Sequence, residues 1–370
     1  MKRPRVKGGS IDFVMFATIM LLVAIGVIMI FSASSYAAFF NADYNHDSMF
    51  FLKKQLLWAV LGTIAMFFII QIDYHIYKKY TGIIMIGTVV LLLVVFAFPE
   101  INGARRWIML GPFHLQPSEI AKYTVVLFLA KSIELKGERI KELLYGIFPY
   151  LLVAGLYAGL VLAEKNLSIA SVIMIVTFIV LFVAGARDFH LFGIIAPALC
   201  GLGILFTLIE PYRVRRLLNF TNPWKNSQGD GYQLVQSLLA LGSGGIWGVG
   251  LGKSRQKCYY IPEPHTDFIF AVIGEELGLI GCAFIIILFL IFIWRGVRTA
   301  SKARDTYGTI LATGVTAVVA VQAAINIAVV TGSMPVTGVP LPFISYGGSS
   351  LVINMMAMGL LLNVSRQCED

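Results

Sequence analysis

Apolar residues gather along this chain in long blocks separated by short polar breaks, and only the segment 210–265 departs from that rhythm. A helix needs about 20 mostly apolar residues to cross the hydrocarbon of a bilayer. Ten blocks read as such spans: 12–34, 55–73, 80–98, 118–132, 143–163, 167–186, 189–209, 266–294, 308–331 and 343–364. They predict an all-α polytopic membrane protein of about ten transmembrane helices, with a large loop over 210–265 between helices 7 and 8. The fourth block is short and carries Glu119 and Lys122 near its start, so it is the least secure. The first follows Lys2, Arg3, Arg5 and Lys7. Its apolar stretch is longer than the core of a signal peptide, so it is expected to stay as a span. With no internal repeat and no low-complexity tract, residues 1–370 read as one membrane domain.

Composition removes the alternatives. The chain is 58% hydrophobic and only 13% charged, which excludes a soluble enzyme, a disordered chain and a fibrous one. Its net charge of +9 does not point to nucleic acid, because the basic residues are distributed as loop charges that orient helices. With the N-terminus inside, sixteen Lys and Arg fall in inner segments, five in short outer loops and seven in 210–265. Both termini are therefore expected in the cytoplasm and the long loop outside. Cys200, Cys258, Cys282 and Cys368 form no CxxC and suggest neither a disulfide nor a metal site.

Polar residues inside or beside spans are costly, so their positions are informative. Gln116-Pro-Ser-Glu-Ile-Ala-Lys122 opens like a helix, and Glu119 and Lys122, three apart, share a face. They make either a local ion pair or, with Arg105 and Arg106, a site for an anionic headgroup such as phosphate. Glu164-Lys165-Asn166-Leu-Ser168 is a charged break for which a hairpin turn suffices. In the long loop, Gln233, Gln236, Ser237 and Ala240 fall on one side of a helix and Leu234, Val235, Leu238 and Leu241 around the other. This is an amphipathic or re-entrant helix at the outer interface. The glycine run 242–252 has no strand before it, so a dinucleotide site is rejected; tight packing is favoured over anion binding.

Further on, Glu263, His265, Asp267, Glu275 and Glu276 crowd one end of a span. Thr266 or Asp267 is placed to cap the following helix. Glu275 lies about 80° and Glu276 about 180° from Asp267 around an ideal helix, so the three cannot face one site. At least one glutamate is expected to make a structural bond. A carboxylate beside a membrane cleft suits a general base, with His265 the weaker candidate. Segment 331–350 is broken by prolines and glycines, which membrane proteins tolerate where backbone is buried or lines a cavity. Ser345 and Ser349 lie there.

The motifs Gln116–Lys122, Gly231-Tyr-Gln…Gln236-Ser237, Pro262–Phe270 with Glu275-Glu276, and Pro340–Ser350 closely resemble the SEDS family, which includes FtsW, RodA and SpoVE. The resemblance spans essentially the whole chain. Arg213–Arg216, Asn222-Pro-Trp224 and Pro262–His265 look more like the FtsW/SpoVE branch, suggesting division or sporulation. It implies a peptidoglycan glycosyltransferase of the bacterial cytoplasmic membrane, polymerising lipid II on the outer face and releasing undecaprenyl pyrophosphate. Asp267 matches the family's essential aspartate and would be the base. Lys122, Glu119, Arg105, Arg106, Gln233, Gln236, Ser237, His265, Ser345 and Ser349 are the substrate-binding candidates. The implied partners are a class B penicillin-binding protein and other divisome or sporulation proteins. Asn166 stands where many relatives carry an acid, which leaves a requirement for Mg or Mn open. A lipid II flippase and a non-catalytic scaffold are the rival functions; the absence of a repeat and the one-sided polar residues favour an enzyme.

Overall fold

A computed structural model describes residues 9–101, 103–111, 113–209, 211–229, 231–258 and 260–368. The basic cluster Lys2–Lys7 and Asn102 lie outside them. Each of the ten expected spans is a helix: α1 (Phe13–Phe40), α2 (Phe50–Gln71), α3 (Tyr74–Val94), α4 (Pro117–Lys136), α5 (Phe148–Ala163), α6 (Leu167–Val183), α7 (Ala196–Ile209), α10 (Ile269–Ser301), α11 (Thr306–Val330) and α12 (Gly348–Arg366). Between α3 and α4 sits a short antiparallel hairpin, β1 (Ile108–Leu110) with β2 (Phe113–Leu115). The long loop holds α8 (Pro211–Thr221) and α9 (Tyr232–Gly244). One turn of π-helix leads into α5 and a longer one into α7.

The fourth span is a complete helix of 20 residues, with Pro117 at its start. It looked short because its charges interrupt the apolar run. Those charges are tolerable because α4 is inside the bundle, packed on α3, α6 and α11, with Glu119 and Lys122 both buried. Around this centre α12 lies along α2, and α10 runs between α1 and α11. Asn166 caps α6 by accepting from the Ile169 N–H.

The two ends of the bundle differ. At one, the Gly9 N–H donates to the Arg366 carbonyl, Arg295 pairs with Asp12, and the Tyr74 hydroxyl donates to Asp305. The other end carries the hairpin, α8, α9 and the broken segment before α12.

At that second end α10 is interrupted at Gly278, where φ is 67°. The glycine run crosses it there. A Cβ on Gly248 would stand 2.2 Å from the Glu276 carbonyl oxygen, and one on Gly278 2.4 Å from the Gly248 nitrogen. The N–H groups of Val249 and Gly250 donate to the carbonyls of Glu275 and Glu276, replacing helical bonds lost at the break. The glycines thus serve close backbone packing. Helix α9 docks on α10 and α11, burying Leu234, Val235, Ser237 and Ala240. Its polar side is thereby divided, and Gln233 and Gln236 stay half-buried.

Candidate active site

Residues 265–267 run just ahead of α10, and their backbone is held from the opposite side. The Tyr346 N–H donates to the His265 carbonyl at 2.9 Å, and the Ser345 hydroxyl to the Thr266 carbonyl at 2.7 Å. The Asn326 amide donates to the carbonyls of Asp267 at 2.8 Å and Val339 at 2.7 Å. The expected cap is not made: Phe268, which has no side-chain acceptor, occupies the capping position of α10, and Asp267 and Thr266 fall one and two residues before it. The Asp267 side chain is left half-buried and accepts no hydrogen bond among the described residues. Gly338 closes against it; a Cβ there would come to 3.2 Å from Oδ2, and its φ of +78° suits glycine.

The electrostatics set Asp267 apart. Burial, reinforced by the Glu263 carboxylate, pushes its pKa up to about 6, against the pull of the Arg216 and Arg106 guanidiniums. The ring of His265 packs between Phe51, at 4.3 Å between centroids, and Tyr346, at 5.5 Å. Burial lowers the His265 pKa to about 4, so it is neutral at pH 7, and its Nδ1 has no partner among the described residues.

Glu119 and Lys122 form a buried pair at 2.9 Å. Lys122 Nζ also donates to Gln322 Oε1 at 2.9 Å, and the Ser350 hydroxyl donates to Glu119 at 2.7 Å. Gln322 and Asn326 are four apart on α11, so this network lies about 6 Å along the helix from the Asp267 backbone. A small cavity under Pro340–Phe343 separates the two, lined also by Gln322, Ser350 and Asn354. Ser349 is buried beside it with a hydroxyl lacking a partner among the described residues.

The two arginines part company. Arg106 donates to the carbonyls of Glu164 at 3.3 Å and Lys165 at 2.5 Å and faces the Asp267 side. Arg105 turns outward to the Phe96 carbonyl and Glu100. Ser237 donates to the Val330 carbonyl at 2.8 Å, tying α9 to α11. Both glutamates after Asp267 are structural: Glu275 accepts from the Ser254 hydroxyl and the Arg255 N–H, and Glu276 from Ser32 and Lys257.

Gln322 and Asn354 were not singled out from the sequence, Glu164 was read only as part of a hairpin turn, and Arg216, which reaches the Val336 carbonyl at 3.0 Å, only as part of a branch motif. Amides inside predicted spans were the available signal for Gln322 and Asn354. Glu164 is 1% exposed with both carboxylate oxygens unpartnered among the described residues. Burial pushes its pKa up to about 8 despite Arg106. Among the described residues no three His, Cys, Asp or Glu side chains converge on one point.

Known proteins resemble the chain along nearly its whole length. The family of cell cycle proteins comprising FtsW, RodA and SpoVE matches residues 12–370. Stage V sporulation protein E of Bacillus subtilis (strain 168) is 43% identical over 97% of this chain and 98% of its own. A probable peptidoglycan glycosyltransferase FtsW of Geobacter sp. (strain M18) is 42% identical over 98% of each chain. Among solved structures, a chain from a peptidoglycan synthase complex described as coordinating polymerization and crosslinking superposes with a TM-score of 0.80 at 28% identity, over 96% of this chain and 98% of that one. The Thermus thermophilus rod shape determining protein RodA gives 0.72 at 27% identity, over 97% of this chain and 98% of its own.

Proposed function

The chain belongs to the FtsW, RodA and SpoVE family of cell cycle proteins, and on that premise we propose how its geometry serves its chemistry. It is a multi-pass membrane peptidoglycan glycosyltransferase. Its substrate is lipid II, the disaccharide-pentapeptide on undecaprenyl pyrophosphate, polymerised into glycan for a division septum or spore wall. Asp267 takes the proton of the acceptor sugar's 4-hydroxyl. That oxygen forms a bond to the donor's anomeric carbon, the bond to the pyrophosphate oxygen breaks, and undecaprenyl pyrophosphate leaves with inversion.

The observation that carries this reading is a carboxylate fixed through its own backbone, unbonded at its side chain and raised to about 6. A base with that pKa is ionised at neutral pH yet keeps more basicity than a surface aspartate. Arg106 and Arg216, whose charges reach Asp267, are placed to stabilise negative charge on the departing pyrophosphate. Lys122, Glu119 and Gln322 hold the cleft floor rigid beneath it. His265, neutral and wedged between two aromatic rings, positions the Asp267 loop. The protein sits in the bacterial cytoplasmic membrane with both termini cytoplasmic and the Asp267 end outward. Its partner is a class B penicillin-binding protein, which crosslinks the new strand.

The test is lipid II polymerisation by the purified protein with its cognate transpeptidase, wild type beside Asp267→Asn. The variant is expected to lose about 10²–10⁴-fold in rate while inserting and binding its partner normally. Wild-type polymer from the variant removes Asp267 as the base. Silence from both, with the complex intact, moves the function toward lipid translocation.

A further inference from the structure

A second feature at the Asp267 end lies apart from the catalytic cleft. A groove of ≈ 650 Å³ opens between the latter half of α1 and segment 251–258, lined by Ile28, Phe31, Phe39, Leu251, Lys253 and Lys257. None of these belongs to the network around Asp267 and Lys122. We propose that the groove binds one anionic diacyl phospholipid, of the phosphatidylglycerol type, drawn from the leaflet on the Asp267 side.

Its dimensions suit such a lipid. From Ile28 to Phe40, α1 rises about 18 Å, close to the depth of one leaflet, about 15 Å. Ile28, Phe31 and Phe39 are all exposed along that length and form an apolar wall. Level with Ser32, about 6 Å along α1 from Ile28, the groove is charged and rigid. Lys257, buried, donates to Glu276 Oε1 at 2.8 Å and to the Ser32 hydroxyl at 3.3 Å. An ammonium has three protons, so one is left without a partner among the described residues. The segment carrying it is pinned by Glu275, which accepts from the N–H groups of Arg255 and Gln256.

Charge selects the headgroup. Lys257 is matched by Glu276, whereas Lys253 is exposed and has no side-chain partner among the described residues. The groove therefore offers one uncompensated positive charge. A phosphodiester with a single net negative charge balances it. A pyrophosphate carries more charge than one lysine neutralises, and a zwitterionic headgroup brings an ammonium against two lysines. Once seated, the lipid bridges α1 to the loop that Glu275 and Glu276 hold on α10, just beyond the Asp267 turn.

The full-length protein in detergent, given equal amounts of phosphatidylglycerol and phosphatidylethanolamine, is read by native mass spectrometry. One phosphatidylglycerol per chain is expected, in preference to phosphatidylethanolamine. Lys253→Gln should lower its occupancy about fivefold, and Lys253→Glu on the order of tenfold, with melting in lipid-free detergent unchanged for the glutamine variant. Ser35→Phe, which fills the groove, should remove the bound lipid without altering the charge. Equal retention of the two lipids, no retention by wild type, unchanged occupancy in both Lys253 variants, or displacement of the phospholipid by equimolar undecaprenyl pyrophosphate would each overturn the proposal.

Discussion

At the scale of single residues, Asp267 and Glu164 illustrate one rule with two outcomes. Both carboxyls lie at the same end of the bundle within the influence of Arg106, and burial raises both. Asp267, drawn down by Arg216 as well as Arg106, rises only to about 6 and is ionised at neutral pH. Polymerisation is accordingly expected to climb as pH rises through about 6 and to level above it; a rate profile flat from acid to neutral pH contradicts the assignment. Glu164, sealed from water, rises to about 8 and stays protonated. Its folded pKa exceeds the ordinary unfolded value of about 4.3, so the folded state binds the extra proton and stability falls with pH between the two values. Glu164→Gln removes that loss. Its melting temperature should therefore gain on wild type between about pH 5 and pH 8 and then keep a constant lead, measured by thermal unfolding in detergent across that range.

At the scale of elements, loops here are attached to helices by buried charge. Lys257 and Glu276 form a pair at 2.8 Å, with Ser32 of α1 bonded to both. Removing one partner from a buried pair leaves the other charge unsolvated and typically costs about 3–5 kcal/mol. Replacing both with apolar residues of similar volume avoids that penalty. Lys257→Met alone is expected to lower the melting temperature sharply, and Lys257→Met with Glu276→Leu to recover most of the loss. Equal destabilisation by single and double variants would show that the loop depends on Ser254 and the Glu275 contacts instead. The same logic explains α4: its charges are affordable because Lys122, Glu119, Gln322 and Ser350 satisfy one another in the bundle interior.

At the scale of the whole molecule, ten helices alternate so that Asp12, Asp305 and Arg366 gather at one end and Asp267, Arg106 and Arg216 at the other. The basic loops fall at the first end, which is the cytoplasmic one on the proposed reading. In a cysteine-free background, a cysteine at Lys225 in the long loop should react with a membrane-impermeant maleimide in intact cells. One at Lys302 should react only after permeabilisation. The reverse pattern would put the site on the cytoplasmic side and end the proposed outer-face reaction.

The chain's own pattern was enough to determine the ten spans, the large loop and the family motifs, because apolar length and broken helices are local properties. It set Glu275 and Glu276 apart from Asp267 by ideal helical geometry; in the fold Asp267 precedes α10, and both glutamates turn to Ser254 instead. It left open whether Glu119 and Lys122 pair or bind substrate; the fold joins them and adds Gln322 from 200 residues away in sequence. It misread Asp267 as a possible cap, because the capping position of α10 falls one residue later, at Phe268, while the carbonyls at 265–267 are held by Asn326, Ser345 and Tyr346, contacts that exist only once α11 and the broken segment fold over them. It grouped Arg105 with Arg106, though neighbours in an extended loop point to opposite sides, one toward Glu100 and one toward Glu164. Local pattern thus decided what crosses the membrane. Long-range packing decided which polar groups remain free to do chemistry.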